Sequence, residues 1–123
     1  SPEKIPGPAK PKFDFYSILP EQEVVVPDQD ITGKPRQGVR QVQKPGKYLL
    51  QAGSFQEIKK ADELKARLAL IGLEASIQTV TIDGRKTWNR VRLGPYTDLG
   101  KLNTARSRLK DHHINAILLK VKS

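Results

Sequence analysis

The sequence predicts an α+β domain of ferredoxin-like (RNP-like) βαββαβ order, a four-stranded antiparallel sheet with two helices on one face. Three observations predict it. A strand-turn-helix pattern occurs twice at an offset of 41 residues: Leu49-Leu50-Gln51-Ala52 runs into Gly53-Ser54-Phe55, and Arg90-Val91-Arg92-Leu93 runs into Gly94-Pro95-Tyr96. Behind each copy, apolar residues recur at matching helical positions, with Ile58, Ala61, Leu64 and Leu68 answering Leu99, Leu102, Ala105 and Leu109, so each helix has one apolar face. Between the copies, Asp83-Gly84-Arg85 separates two β-rich runs, and Asp-Gly accepts the positive φ of a tight hairpin turn.

Taken in order, residues 1–46 hold eight of the nine prolines, a density that suits extended, partly stiff chain. They read as a linker, largely disordered, ahead of a domain at 47–123. Within it, Phe13-Asp14-Phe15-Tyr16-Ser17-Ile18-Leu19-Pro20 and Val24-Val25-Val26 are too apolar for an idle spacer; a docking segment for another protein, a sticky patch and a short edge strand are all compatible with them. Tyr48 to Ala52 reads as the first strand, and Gln56 to Ile71 as a helix stopped by Gly72, which suits the left-handed residue after a helix end. Glu74 to Ile82 and Lys86 to Leu93 form the hairpin. Asp98 to about His112 is the second helix, with Thr97 or Asp98 as its cap, and Ile114 to Val121 closes the chain as a strand. Two right-handed crossovers place the first and third strands at the centre of the sheet.

Alternation along the strands assigns faces. Val91 and Leu93 face the helices, which leaves Trp88, Arg90 and Arg92 together on the open face. By the same logic Leu50 and Ala52 face the helices, and Leu49 and Gln51 lie beside the arginines. A tryptophan whose neighbours at two-residue spacing are charged is poor core material. An indole offers a flat apolar surface for the C–H face of a sugar or for a base, arginine donates paired hydrogen bonds, and glutamine donates and accepts. Such a face supports binding rather than catalysis. No nucleophile-base pair is visible, and His112 and His113 sit at a helix end, where the helix dipole is the ordinary explanation. No catalytic residue, metal site or cofactor is expected.

Composition narrows the class further. The 123 residues leave room for one domain and a tail. No run approaches the roughly 18 apolar residues of a membrane helix, and the absence of cysteine excludes disulfides and thiolate metal sites. With no methionine, the chain reads as a processed product or a fragment. The formal charge of +9 is uneven: residues 1–46 carry seven Lys or Arg and six Asp or Glu, and residues 47–123 carry fifteen and seven. The basicity belongs to the folded part and suits an anionic partner such as a nucleic acid, a membrane surface or an acidic polysaccharide.

The stretches Tyr48-Leu49-Leu50-Gln51-Ala52-Gly53-Ser54-Phe55, Ala61-x-x-Leu64, Leu68-x-x-x-Gly72 and Trp88-Asn89-Arg90-Val91-Arg92-Leu93-Gly94-Pro95-Tyr96 together resemble the SPOR (sporulation-related repeat) family, over about residues 47–121. The proline-rich lead-in and the Trp-Asn-Arg-Val run look most like the C-terminal periplasmic part of a bacterial cell-division protein. The resemblance implies a non-catalytic module that binds peptidoglycan glycan strands lacking stem peptides and targets its parent to the division septum. It implies ligand contacts at Gln51, Ser54, Trp88 and Arg90, with Arg92 a weaker candidate from the strand alternation. Ser54, on the turn, comes from the resemblance alone. It further implies a periplasmic location, a missing N-terminal inner-membrane anchor as the one link to a membrane, a monomer, and contacts with other division or cell-wall proteins through the tail. The alternative is a single-stranded RNA- or DNA-binding domain of the same topology. Its third strand should carry several stacking aromatics, where this one has Trp88 alone, so no nucleic-acid partner is expected.

Overall fold

A computed structural model of the chain describes residues 22–122. Its elements are β1 (Gln22–Val25), a 3-10 turn (Asp28–Asp30), β2 (Pro35–Arg36), β3 (Val39–Arg40), β4 (Lys47–Phe55), α1 (Ile58–Leu70), β5 (Ala75–Ile82), β6 (Lys86–Tyr96), α2 (Leu99–Asp111) and β7 (Ile117–Lys122). From β4 onward the order is βαββαβ, an α+β fold of the ferredoxin-like type, with β4 and β6 central. Among the described residues the sheet has five strands rather than four, in the order β1-β7-β4-β6-β5, every pairing antiparallel. β2 and β3 form a separate two-stranded ladder.

The core lies between the sheet and the two helices. Tyr48, Leu50, Val91, Leu93 and Leu118 from the strands meet Ala61 and Leu68 of α1 and Leu102, Ala105 and Leu109 of α2. Leu64 and Leu99 pack at its margin, whereas Ile58 is exposed. The repeat extends to the helix ends. After α1, Leu73 N–H donates to Leu68 C=O at 2.9 Å, and after α2, Ile114 N–H donates to Leu109 C=O at 2.9 Å, with Gly72 (φ 82°) and His113 (φ 58°) in the left-handed position. Asp98 caps α2 by accepting from Lys101 N–H at 3.0 Å. Asp83 and Gly84, at φ 56° and 64°, make the hairpin turn, closed by Arg85 N–H on Ile82 C=O at 3.1 Å.

The linker reading of residues 1–46 needs correction over 22–46. The Phe13–Pro20 segment lies outside the described residues, but Val24 and Val25 belong to an edge strand, β1, paired with β7. The chain then crosses to the helix side, where Ile31 and Val42 are buried in the core. Proline density misleads because Pro27, Pro35 and Pro45 sit after β1, at the start of β2 and just before β4, where no central ladder bond is lost. Its short strands do not have to satisfy all of the arm's backbone. Side chains of α2 satisfy its backbone: Asn103 accepts from Val42 N–H at 2.9 Å and donates to Val42 C=O at 3.1 Å, Ser107 donates to Gln37 C=O at 2.6 Å, Arg106 to Arg40 C=O and Lys110 to Gly38 C=O. That is why Asn103 and Ser107, polar residues outside the apolar stripe of α2, are buried.

Asn103→Ala is therefore expected to cost about 1–3 kcal/mol, because both polar groups of Val42 lose their partner in a buried setting. Urea unfolding against Lys101→Ala, an exposed change on the same helix, measures it. Equal midpoints for the two would show that the arm does not depend on this clamp.

Candidate functional site

The open face of the sheet is built around β4 and β6. Gln51 lies opposite Arg92 and Ser54 opposite Arg90. Gln51 and Ser54 are three residues apart, so on a regular strand they would point to opposite faces. A β-bulge between Gln51 and Gly53 shifts the register by one residue and brings both onto the same face. Gly53 is thereby turned toward α1, where a Cβ would stand 2.9 Å from Leu64 Cδ2. Ser54 is thus part of β4 itself, not of a turn as the sequence suggested, and its side chain is exposed.

β6 supplies Trp88, Arg90 and Arg92 on the same face, with Val91 and Leu93 fully buried beneath them. Trp88 is half-buried, sits across from Val80 of β5, and stands outside the core cluster. Arg90 Nε donates to Gln51 Oε1 at 2.9 Å and its Nη1 to Gln78 Oε1 at 3.3 Å. Arg92 Nη1 donates to the same Gln78 oxygen at 2.7 Å, and its Nη2 is ion-paired with Glu23 Oε1. Glu23 also lies 3.8 Å from Arg90 Nη2. The structure therefore brings all five residues singled out in the sequence to one face and joins three of them in a network through Gln78 and Glu23.

Exposure separates the two arginines. The Arg92 side chain is 7% exposed and that of Arg90 26%. Among the described residues, Arg92 Nε is buried without a hydrogen-bond partner. Arg92 is thus committed to the protein, whereas Arg90 keeps an accessible edge. Burial lowers the Arg90 pKa, the neighbouring Arg92 lowers it further, and Glu23 pulls it back up; a guanidinium starts so high that it stays charged at neutral pH.

Three residues that sequence reasoning passed over complete the site. Gln78 bridges the arginines, and its place at two-residue spacing from Ser76 and Val80 on a predicted strand was a signal of sorts. Glu23 had none, since it lay in the supposed linker. Asn89, buried on the helix side, donates to Phe55 C=O at 3.2 Å and Gln56 C=O at 3.1 Å and accepts from Thr79 Oγ1 at 2.8 Å. It fixes the chain where β4 passes into α1, directly after Ser54. The three carbonyl and hydroxyl partners suit an amide side chain and no apolar residue of the same size.

Chemically, the face offers an indole surface, one accessible guanidinium, a serine hydroxyl and two amides. It can stack against a ring and direct hydrogen bonds. Among the described residues no group of His, Asp and Glu is arranged to hold a metal, and no helix is long and apolar enough to cross a membrane. A cavity of about 800 Å³ lies on the helix side, bounded by Arg40, Leu50, Arg106 and Lys110, but Arg106 and Lys110 are engaged there by backbone carbonyls of the arm.

The family model of the SPOR domain matches residues 44–120. Among solved structures, the chain is similar to the RlpA SPOR domain from Pseudomonas aeruginosa, at 27% identity and a TM-score of 0.52 over 59% of this chain and 96% of that one. It also aligns with the peptidoglycan binding domain of the B. subtilis cell wall lytic enzyme CwlC, at 22% identity and a TM-score of 0.49 over 69% of this chain and 100% of that one. No curated protein matches the chain.

Proposed function

The chain belongs to the SPOR domain family, and from that premise we propose that it is a non-catalytic module that binds peptidoglycan on the open face of its sheet. One observation carries the reading: Trp88, Arg90, Gln51 and Ser54, contributed by two central strands, converge on the face opposite α1 and α2. Trp88 stacks against a sugar ring, Arg90 and Gln51 direct hydrogen bonds to acetamido or carboxylate oxygens, and Ser54 donates from the rim.

The preferred ligand is glycan freed of its stem peptides. Peptides branching from alternate sugars would collide with a face that must lie flat along the strand, and their removal frees a lactyl carboxylate within reach of Arg90. Through this preference the module brings its parent to the division septum, from a periplasmic position held by an N-terminal inner-membrane anchor. The module acts as a monomer, and its N-terminal tail engages other division or cell-wall proteins.

Co-sedimentation with purified sacculi tests the reading. Amidase-treated sacculi should retain several-fold more protein than untreated ones, and a fluorescent single-stranded RNA oligomer should compete weakly. Equal retention on both kinds of sacculi would remove the peptide-free preference. Tight RNA binding with no retention on either would replace the glycan reading by the nucleic-acid one.

A further inference from the structure

Arg92 and Glu23 are 69 residues apart in sequence and on strands separated by two others, since β7 and β4 lie between β1 and β6. Glu23 is nevertheless held firmly in place. β1 pairs with β7 from Gln22 opposite Lys122 to Val25 opposite Leu119, Val26 N–H donates to Leu118 C=O at 2.9 Å, and the chain beyond is anchored by Ile31 and Val42 in the core. The carboxylate lies over the open face against Arg92 and within 3.8 Å of Arg90. A ligand carboxylate could reach Arg92 only by breaking a nearly buried ion pair and leaving a charge uncompensated, which is strongly unfavourable.

We propose that Glu23 is a specificity residue of this face: by neutralising Arg92 it makes the module select its ligand through stacking and directed hydrogen bonds rather than through bulk positive charge. The inference rests on the reading of the open face as the binding face. The problem it answers is general for this chain. Residues 47–123 carry fifteen Lys or Arg against seven Asp or Glu, and a basic sheet face attracts any polyanion. Discrimination then depends on an element that disfavours the wrong partner. An anionic side chain fixed beside both arginines supplies it, and leaves Arg90 rather than Arg92 offered outward. It follows that the arm bearing β1 is part of the binding module and not a spacer before it.

A charge cycle on the full chain tests this, with heparin as the polyanion and amidase-treated sacculi as the glycan. Glu23→Gln should raise heparin affinity on the order of fivefold at low salt and steepen its salt dependence, a larger gain than the one it makes on amidase-treated sacculi. Glu63→Gln makes the same change in net charge at an exposed position of α1, on the other side of the sheet, and should leave heparin affinity close to wild type. Adding Arg92→Gln to Glu23→Gln should return heparin affinity to the wild-type value. Should Glu23→Gln not fold, Arg92→Gln and the double variant carry the comparison, with heparin affinity lower in Arg92→Gln because Glu23 then acts on Arg90 alone. Equal heparin gains for Glu23→Gln and Glu63→Gln, or a double variant indistinguishable from its parent single variant, would overturn the proposal. Failure of the wild-type chain to sediment with sacculi is a separate result: it would sink the glycan reading, while the heparin cycle still reports whether Glu23 sets the charge of the face.

Discussion

Leu68→Ala is expected to destabilise the fold by about 2–5 kcal/mol, from lost burial and the cavity that a partly relaxed core leaves behind. Leu70→Ala, two residues along the same helix, should stay within about 0.5 kcal/mol of wild type. The contrast follows from exposure alone: Leu68 is 0% exposed and Leu70 87%. Leu68 also accepts, through its carbonyl, the bond from Leu73 that ends α1, but alanine keeps that backbone contact, so the difference isolates packing. In a domain of this size the larger value corresponds to a drop in melting temperature of about 10 °C or more. Chemical unfolding monitored by circular dichroism measures both variants, and equal shifts would contradict the placement of the core between α1 and the sheet.

The repeat made much of the architecture readable. A displacement of 41 residues relates Leu68 to Leu109, Gly72 to His113 and Leu73 to Ile114, and the two helices end in the same hydrogen-bonded pattern. Strand alternation was enough to place Trp88, Arg90 and Arg92 on one face, because β6 is regular over those residues. It was not enough for Ser54. A bulge reverses the facing of every residue beyond it, and nothing in Gln51-Ala52-Gly53-Ser54 announces one apart from the glycine.

The arm was illegible for a different reason. Val42, Gln37 and Gly38 find their partners in Asn103, Ser107 and Lys110, 61 to 72 residues away, so no local pattern marks those residues as ordered. Each looks like loop until α2 is placed beside it. The same distance hid Glu23, whose role depends on a strand pairing formed with the end of the chain. Arg92 changed its meaning as a result. As a sequence position it was one more cation on the open face; with Glu23 and Gln78 around it, it is a nearly buried group that ties the arm to the sheet.

Trp88→Ala is expected to weaken binding to amidase-treated sacculi by about 30-fold or more, the loss of roughly 2 kcal/mol that a central aromatic contact supplies, with little change in melting temperature. The two halves of this expectation have separate physical grounds. Binding falls because the indole is the one large apolar surface that β6 presents on the open face, and neither Arg90 nor Gln51 can replace a stacked ring. Stability holds because Trp88 lies outside the cluster that contains Val91 and Leu93 and its opposite neighbour, Val80, is itself on the open face. Arg90→Ala should also weaken binding, but through lost hydrogen bonds, and it should flatten the salt dependence that Trp88→Ala leaves intact. Sedimentation at two salt concentrations, paired with thermal melts, separates these effects. Unfolding of Trp88→Ala would make Trp88 a core residue and undo the face assignment, whereas a folded variant that binds as wild type does would move the site off this face.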